Sequence, residues 1–457
     1  MSLRHDHDKL RPPATTAVGS GAWTRHRISR RRFLRLGGGA IVGAAGAQFL
    51  GAVGGGLLQR LGAYPDVGVV NVHLAASDGW IGLPGAVPGI HPDPMAPDDL
   101  TTWVLGFRDV TGLTAEQIEN QRMHVQNPAP LLYTDEFDDA VGNRMNITLT
   151  NLGLQIRPDL TDSHTVHFHG FRNAIPLFDG VPELSISVPT GRDFTYVYEP
   201  RHPGTYMYHC HFEDVEHVSM GMTGIVFVKA RQNRFPLTSR PGYVPGERYA
   251  YNDGGTASPG MSSYDREFAV FLSEMWAQEH FDGAHIQEHD WSEYQPDFWL
   301  MNGRSYPDTL APHGTQDADG NLVAPPGVGN EHLTYQPISS LITANVGERV
   351  LIRLVNLGFQ QHAMTLDGIP MRVVGRDATL MAGRDGTDTS YVTNSVLIGP
   401  GESFDLIVTP QAVGTYLFYN RDVSRLHNPG LPGRGGQITE VRVSPAGTLP
   451  PQEVPSR

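Results

Sequence analysis

The sequence has 457 residues, too many for one ordinary domain and enough for roughly two or three. Its formal net charge is −14, and beyond the N-terminal segment it has no basic stripe of the kind that tracks phosphates, which sets nucleic acid aside as a partner. Charged content of 18% with abundant Gly (52) and Pro (35) fits many short strands joined by turns rather than a helical protein, so the chain is read as all-β.

In chain order, the first feature is Ser29-Arg30-Arg31-Arg32-Phe33-Leu34-Arg35, followed by a weakly apolar Gly/Ala-rich stretch from Leu36 to about Gly56. The nine glycines between Leu36 and Gly56 make a poor membrane span, so residues 1–47 are read as a twin-arginine export signal and 48–67 as a linker. The expected destination is the periplasm, the cell surface or the medium. That route carries proteins already folded around their cofactors, which favours a metal or redox protein. The single cysteine, Cys210, allows no intramolecular disulfide in such an oxidising compartment.

An internal repeat sets the architecture. Gly142-Asn-Arg-Met-Asn-Ile-Thr-Leu-Thr-Asn151-Leu-Gly153 matches Gly347-Glu-Arg-Val-Leu-Ile-Arg-Leu-Val-Asn356-Leu-Gly358 without a gap, and both alternate as half-buried strands do. Further on, Gly191-Arg-Asp-Phe194 matches Gly401-Glu-Ser-Phe404, and Gly204-Thr-Tyr-Met-Tyr-His209 matches Gly414-Thr-Tyr-Leu-Phe-Tyr419, in the same order. The repeat predicts two homologous β-sandwich domains in tandem, 68–231 and 266–445, joined by a linker at 232–265 and followed by a tail at 446–457. Residues Gln278 to Asn330, rich in His, Asp and Gly, fall outside the repeat and are expected to be long loops.

Domain one carries the chemistry. In His164-Thr-Val-His167-Phe-His169 the period of two puts His167 and His169 on one side of an extended chain and His164 on the other. In His209-Cys210-His211 the two imidazoles likewise share a face opposite the thiol. Two adjacent sites follow. Cys210 with His164, His217 and Met222 supplies two imidazoles, a thiolate and a thioether, the donor set of a blue-copper electron-transfer site. His167, His169, His209 and His211 form a second face of four imidazoles that suits copper of either oxidation state. An electron taken up through His217 and Cys210 then has a route of one residue to His209 or His211. Paired cysteines are absent, which argues against structural zinc.

These residues resemble the multicopper oxidases, in which His-x-x-His-x-His and His-Cys-His segments, with a later His and Met, carry a type 1 copper and part of a trinuclear cluster of type 2 and type 3 copper. The likeness extends to Asp179-Gly180, Gly191-x-x-Phe194-x-Tyr196 and Pro203-Gly204-Thr-Tyr-x-Tyr208. It implies two cupredoxin-like Greek-key domains and a homo-oligomer, a trimer above all. It also implies laccase-like chemistry, with dioxygen as acceptor and a phenol, aromatic amine or metal ion as donor.

Two departures stand out. Six residues separate Cys210 from His217 where the family pattern has four, while the spacing from His217 to Met222 is the family's own and favours Met222 over Met220. Domain two, moreover, offers His362, Thr365 and Asp367 against His164, His167 and His169, and Tyr419, Asn420 and Arg421 against His209, Cys210 and His211. The missing cluster ligands would have to come from loop residues such as His280, His285, His289 and His313, from a neighbouring chain, or from nowhere. A copper nitrite reductase-like enzyme and a non-enzymatic electron-transfer or copper-binding protein therefore stay open beside the oxidase. Glu213, Asp214 and Glu216 are expected to be a solvated loop face, with a proton relay or a bond to a ligating imidazole as the alternative.

Overall fold

In the strand Met145–Asn151 the expected alternation holds residue by residue, with Met145, Ile147 and Leu149 buried and Asn146, Thr148 and Thr150 half-buried. The computed structural model describes residues 69–234, 247–253 and 261–456, so the export-signal segment and part of the linker lie outside the described residues. No helix among the described residues is long and apolar enough to cross a membrane.

Domain one is built from β1 (Val70–Ile81), β2 (Thr102–Asp109), β3 (Leu132–Asp135), β4 (Met145–Asn151), β5 (His167–His169), β6 (Asp193–Tyr198), β7 (Gly204–His209) and β8 (Thr223–Lys229). One sheet has the order β2-β1-β4-β6 and the other β3-β8-β7-β5, each with one parallel pair, β1 with β4 and β3 with β8. Domain two repeats both patterns. Arg266–Met275 lies parallel to Val350–Asn356 and is flanked by antiparallel Phe298–Met301, with Ser403–Val408 on the other side. In its second sheet Ile342–Asn345 runs parallel to Ile438–Ser444, which leads through Gly414–Asn420 to His362–Leu366. The repeat read in the sequence is thus a repeat of topology, and the fold is all-β in two tandem cupredoxin-like sandwiches.

One strand departs from expectation. Val350–Asn356 is buried at every residue instead of alternating, because domain one covers its outer face. Val355 joins Leu131, Met207, Ile225 and Phe227 in a shared apolar cluster, and Arg353 sits over the Phe227 ring at 4.6 Å. The expected long loop after Gln278 also holds regular structure. It contains a helix, Ala277–Ala284, whose Ala277, Glu279, His280, Asp282 and Ala284 are buried, and Gly283 packs so closely on the Trp103 ring that a Cβ there would come within 2.8 Å. Eight residues were too few to give a visible helical period.

The domains are also joined by buried charge. The Arg353 Nε donates to Glu267 at 2.8 Å, and its Nη1 donates to the Thr205 hydroxyl at 3.0 Å, while Thr205 donates to Asp405 at 2.6 Å. Burial works against ionised Glu267, but Arg353 and Lys229 hold its carboxyl below the usual range. Replacing Arg353 with Met would leave these carboxylates buried without their main counter-charge. The expected loss is about 3–5 kcal/mol in urea denaturation, and a loss below about 1 kcal/mol would show that Lys229 suffices.

Candidate metal centre

The turn after β4 begins the site. The Asn151 side-chain amide donates to the Asp162 carbonyl at 2.7 Å and the Val188 carbonyl at 2.9 Å, while its oxygen accepts from Gly153 N. His164 is bridged to Val188 by backbone bonds in both directions, so this clamp fixes where its imidazole starts. Cys210 follows β7, and its amide donates to the Met222 carbonyl at 3.1 Å, while Met222 N donates to the His217 carbonyl at 2.9 Å. Three of the four residues expected to share one face, Cys210, His217 and Met222, are therefore held by a closed backbone circuit, and His164 is set by its own bridge to Val188.

The Cys210 sulfur lies 3.2 Å from His217 Nδ1 and 3.9 Å from His164 Nδ1, and it accepts the Thr165 amide at 3.4 Å. All three ligand atoms fall within 4.8 Å of one another, and His164, Cys210, His217 and Met222 are fully buried. Burial, with His217 as neighbour, keeps His164 well below the ordinary imidazole range. Burial also pulls His217 down, but the Cys210 sulfur and Asp162 outweigh it and push the imidazole up to about 10. Two nitrogens converging on one sulfur in a dry pocket fit a copper ion.

The opposite face assembles as the alternation requires. In the ladder between β5 and β7, His167 stands directly across from His209, with ring centroids 5.1 Å apart. His167, His169 and His209 bring ligand atoms within 4.8 Å, and the His211 ring lies 5.0 Å from His167 and 5.6 Å from His209. His167 Nδ1 bonds the Asp179 carbonyl at 2.6 Å and His209 Nδ1 bonds the Cys210 carbonyl at 2.7 Å, which leaves each Nε2 free as a ligand. Burial lowers His209 to about 3, so its imidazole is neutral and ready to ligate. This face, too, fits copper. Gly401 of domain two, at φ +75°, closes the rim beside His169, where a Cβ would come within 3.1 Å of the ring.

Three residues escaped the sequence reading or were undervalued by it. Asp162 places a carboxylate oxygen 3.6 Å from His217 Nε2, and Glu213 joins the same group, so this part of the expected solvated loop lies against a ligand. The only signal was an acidic residue two positions before His164. Asp214 stands 4.0 Å from His211 Nδ1.

Domain two keeps the geometry and loses the metal chemistry. Thr365 pairs with Tyr419 as His167 does with His209, and His362 faces Asn420 as His164 faces Cys210. His362 Nδ1 already accepts from Asn420 Nδ2 at 3.2 Å and Arg425 Nη1 at 3.0 Å, so the nitrogen that matches His164 Nδ1 is taken by hydrogen bonds. Tyr419 bonds Asp367 on the other face. Among the described residues, none of the loop histidines His280, His285, His289 and His313 joins a group of three converging ligand atoms; His280 Nδ1 donates to the Trp103 carbonyl, His285 pairs with Asp93, His289 packs on Trp276 and Trp291, and His313 bonds Ser456.

Multicopper oxidase family models match residues 140–233 and 266–435, together more than half the chain. No curated protein matches. Among solved structures, the blue copper oxidase from Nitrosomonas europaea aligns at 20% identity over 82% of this chain and 85% of its own, with a TM-score of 0.54. The multicopper oxidase mgLAC aligns at 19% over 84% and 88%, with a TM-score of 0.53.

Buried neutral histidines also set the acid response. Burial holds His209 near 3 and His91 and His280 near 4, against about 6.5 in an unfolded chain. Below pH 6.5 the unfolded chain binds protons that the folded one refuses, so stability falls as pH drops toward those values. His217, raised instead, gives stability already complete below 6.5 and adds nothing to this slope. Metal-free protein is expected to lose on the order of 1–2 kcal/mol per such imidazole between pH 7 and 5 in denaturant titrations, and His280→Gln should remove part of the loss.

Proposed function

We infer, for a chain that belongs to the multicopper oxidase family and is a copper-dependent oxidoreductase, that its activity is laccase-like: single electrons enter from a small reducing substrate beside His217 and reach dioxygen at the histidine face. The observation that carries this reading is covalent. Cys210 converges with His164 and His217 on one side of the strand, and its peptide neighbours His209 and His211 belong to the group on the other. Copper at these positions would supply one-electron chemistry between Cu(I) and Cu(II).

The chain's own residues bind, orient and move protons. His217 Nε2 has no hydrogen-bond partner, and Asp162 and the exposed Glu213 carry its edge toward solvent. A phenol or aromatic amine docked there releases a proton with its electron, and these carboxylates can accept it; a metal-ion donor would be held by the same oxygens. The Asp179 and Cys210 carbonyls hold His167 and His209 in the ligating tautomer. Export by the twin-arginine route belongs to the same reading. So does a homotrimer: exposed Ile175, Leu177, Leu184 and Ile186 flank Asp179 along the chain of domain one, and domain two exposes Leu397 on the strand paired with His362–Leu366 and Tyr391 and Val392 on the strand paired with Met371–Arg376. Two unlike apolar patches on one chain favour head-to-tail contact that closes a ring.

A second reading rests on a specific observation. Thr365, Asp367, Tyr419 and Arg421 offer no imidazole, in this chain or a copy of it, which favours an incomplete cluster: a single copper on His167, His169 and His209 in a nitrite reductase-like enzyme, or an intact type 1 site alone in an electron-transfer or copper-binding protein. Copper content with visible and spin-resonance spectra, followed by oxygen uptake and nitrite reduction, separates them. About four coppers per chain, a blue band and oxygen uptake support the oxidase; one or two coppers without oxygen uptake support the second reading. Cys210→Ser should lose the blue band and keep the fold, whereas His209→Ala should keep the band and lose acceptor reduction by about a hundredfold.

A further inference from the structure

The six residues between Cys210 and His217 begin a short helix, Asp214–Ser219, whose buried side carries His217 and Ser219. Three contacts hold the end of this loop. The Leu105 amide donates to the Met220 carbonyl at 3.1 Å. Gly221, at φ +116°, lies so close to the Asn127 amide that a Cβ would come within 2.4 Å of its Nδ2. The Ser219 hydroxyl donates to Glu279 Oε2 at 2.5 Å.

The third contact is unlike the others because Glu279 belongs to domain two, on the helix Ala277–Ala284. Its side chain is fully buried, and its Oε1 has no hydrogen-bond partner. Burial, with Glu216 nearby, raises its carboxyl well above the usual range. A buried carboxyl with one oxygen unsatisfied costs free energy that an apolar residue of similar size would not. What it supplies in return is direction: one short hydrogen bond to the residue midway between His217 and Met222.

We propose that Glu279 is a positioning residue for the copper site of domain one: its bond to Ser219 fixes the last turn of the ligand-loop helix and, through it, the orientation of His217 and the seat of Met222. Domain two, which has lost its own metal ligands, thereby sets the copper affinity and reduction potential of its neighbour. The backbone makes this transmission direct. Met222 N bonds the His217 carbonyl and Met222 O takes the Cys210 amide, so a rotation of the helix end moves three ligands together. The inference rests on Cys210, His164, His217 and Met222 holding a type 1 copper.

The test compares copper-loaded full-length wild type with Glu279→Gln, Glu279→Leu and Ser219→Ala. Reduction potential, the blue band, spin-resonance hyperfine splitting and copper retention against a chelator are the readouts. Glu279→Leu and Ser219→Ala should each retain copper about 10–100-fold less tightly and shift both potential and spectrum, whereas Glu279→Gln, which preserves the bond, should stay within about threefold of wild type. If Glu279→Leu does not fold, Ser219→Ala makes the comparison from the other side of the bond. Wild-type potential and spectrum in Ser219→Ala, or equal damage from Gln and Leu, would overturn the inference alone. A wild type without a blue band would overturn the copper reading and this inference with it.

Discussion

Side chains leave a β-strand alternately to its two sides, and the residues at and just past the end of β7 turn that constraint into function. His209, Cys210 and His211 are adjacent in the chain, yet Cys210 faces a dry pocket with His164 and His217 while its neighbours face His167 and His169. The ladder between β5 and β7 fixes this register, because a slip of one residue would exchange the two faces. Everything else about the site follows from holding that register. The Asn151 clamp sets where His164 begins, and the backbone circuit through Met222 sets where the ligand loop ends.

Domain two shows which parts of this arrangement belong to the fold and which to the metal. The strand pairing survives intact, with Thr365 opposite Tyr419, and so does the Asn-Leu-Gly clamp, where Asn356 accepts from Gly358 N as Asn151 does from Gly153 N. What has changed is the chemistry at the ligand positions. Asn420 and Arg425 direct N–H groups at His362 Nδ1, and Asn420 is itself held by Gln437. A hydrogen-bonded polar core occupies the place that the His–Cys group takes in domain one, within the same sandwich.

The repeat and the ligand sets were legible in the sequence because both rest on local rules. Gly-to-Gly spacing marks strand starts, and period two assigns faces. The same rules failed where tertiary contact decides. Val350–Asn356 looked half-buried because nothing local says that domain one lies on it. Glu279 and His280 looked like loop residues because a helix of eight residues shows too little periodicity. Asp162 drew no attention because a carboxylate two residues before a histidine is common, and only the return of the ligand loop brings it to His217. The export route was read from residues 1–47, which lie outside the described residues, and the apolar side chains offered for a trimer contact show only once the fold tells exposed positions from buried ones.

Domain two contributes contacts that need no metal ligand of its own. Here it buries what domain one would otherwise expose: Leu131, Met207, Ile225 and Phe227 meet Ala269, Phe271, Ile338 and Val355 in one cluster. It also answers charge with charge, since Arg353 stands over Phe227 and bonds Thr205 of domain one while paired with Glu267. Hydrophobic contact alone is non-directional and would let two sandwiches slide. The hydrogen bonds from Thr205 to Asp405 and from Ser219 to Glu279 remove that freedom at two separate points. Gly401 reaches the rim of the histidine face from the same domain, so the relative placement of the sandwiches is also the placement of that rim. The second domain thus acts as a template against which domain one is held, a role that needs no imidazole at Thr365, Asp367, Tyr419 or Arg421.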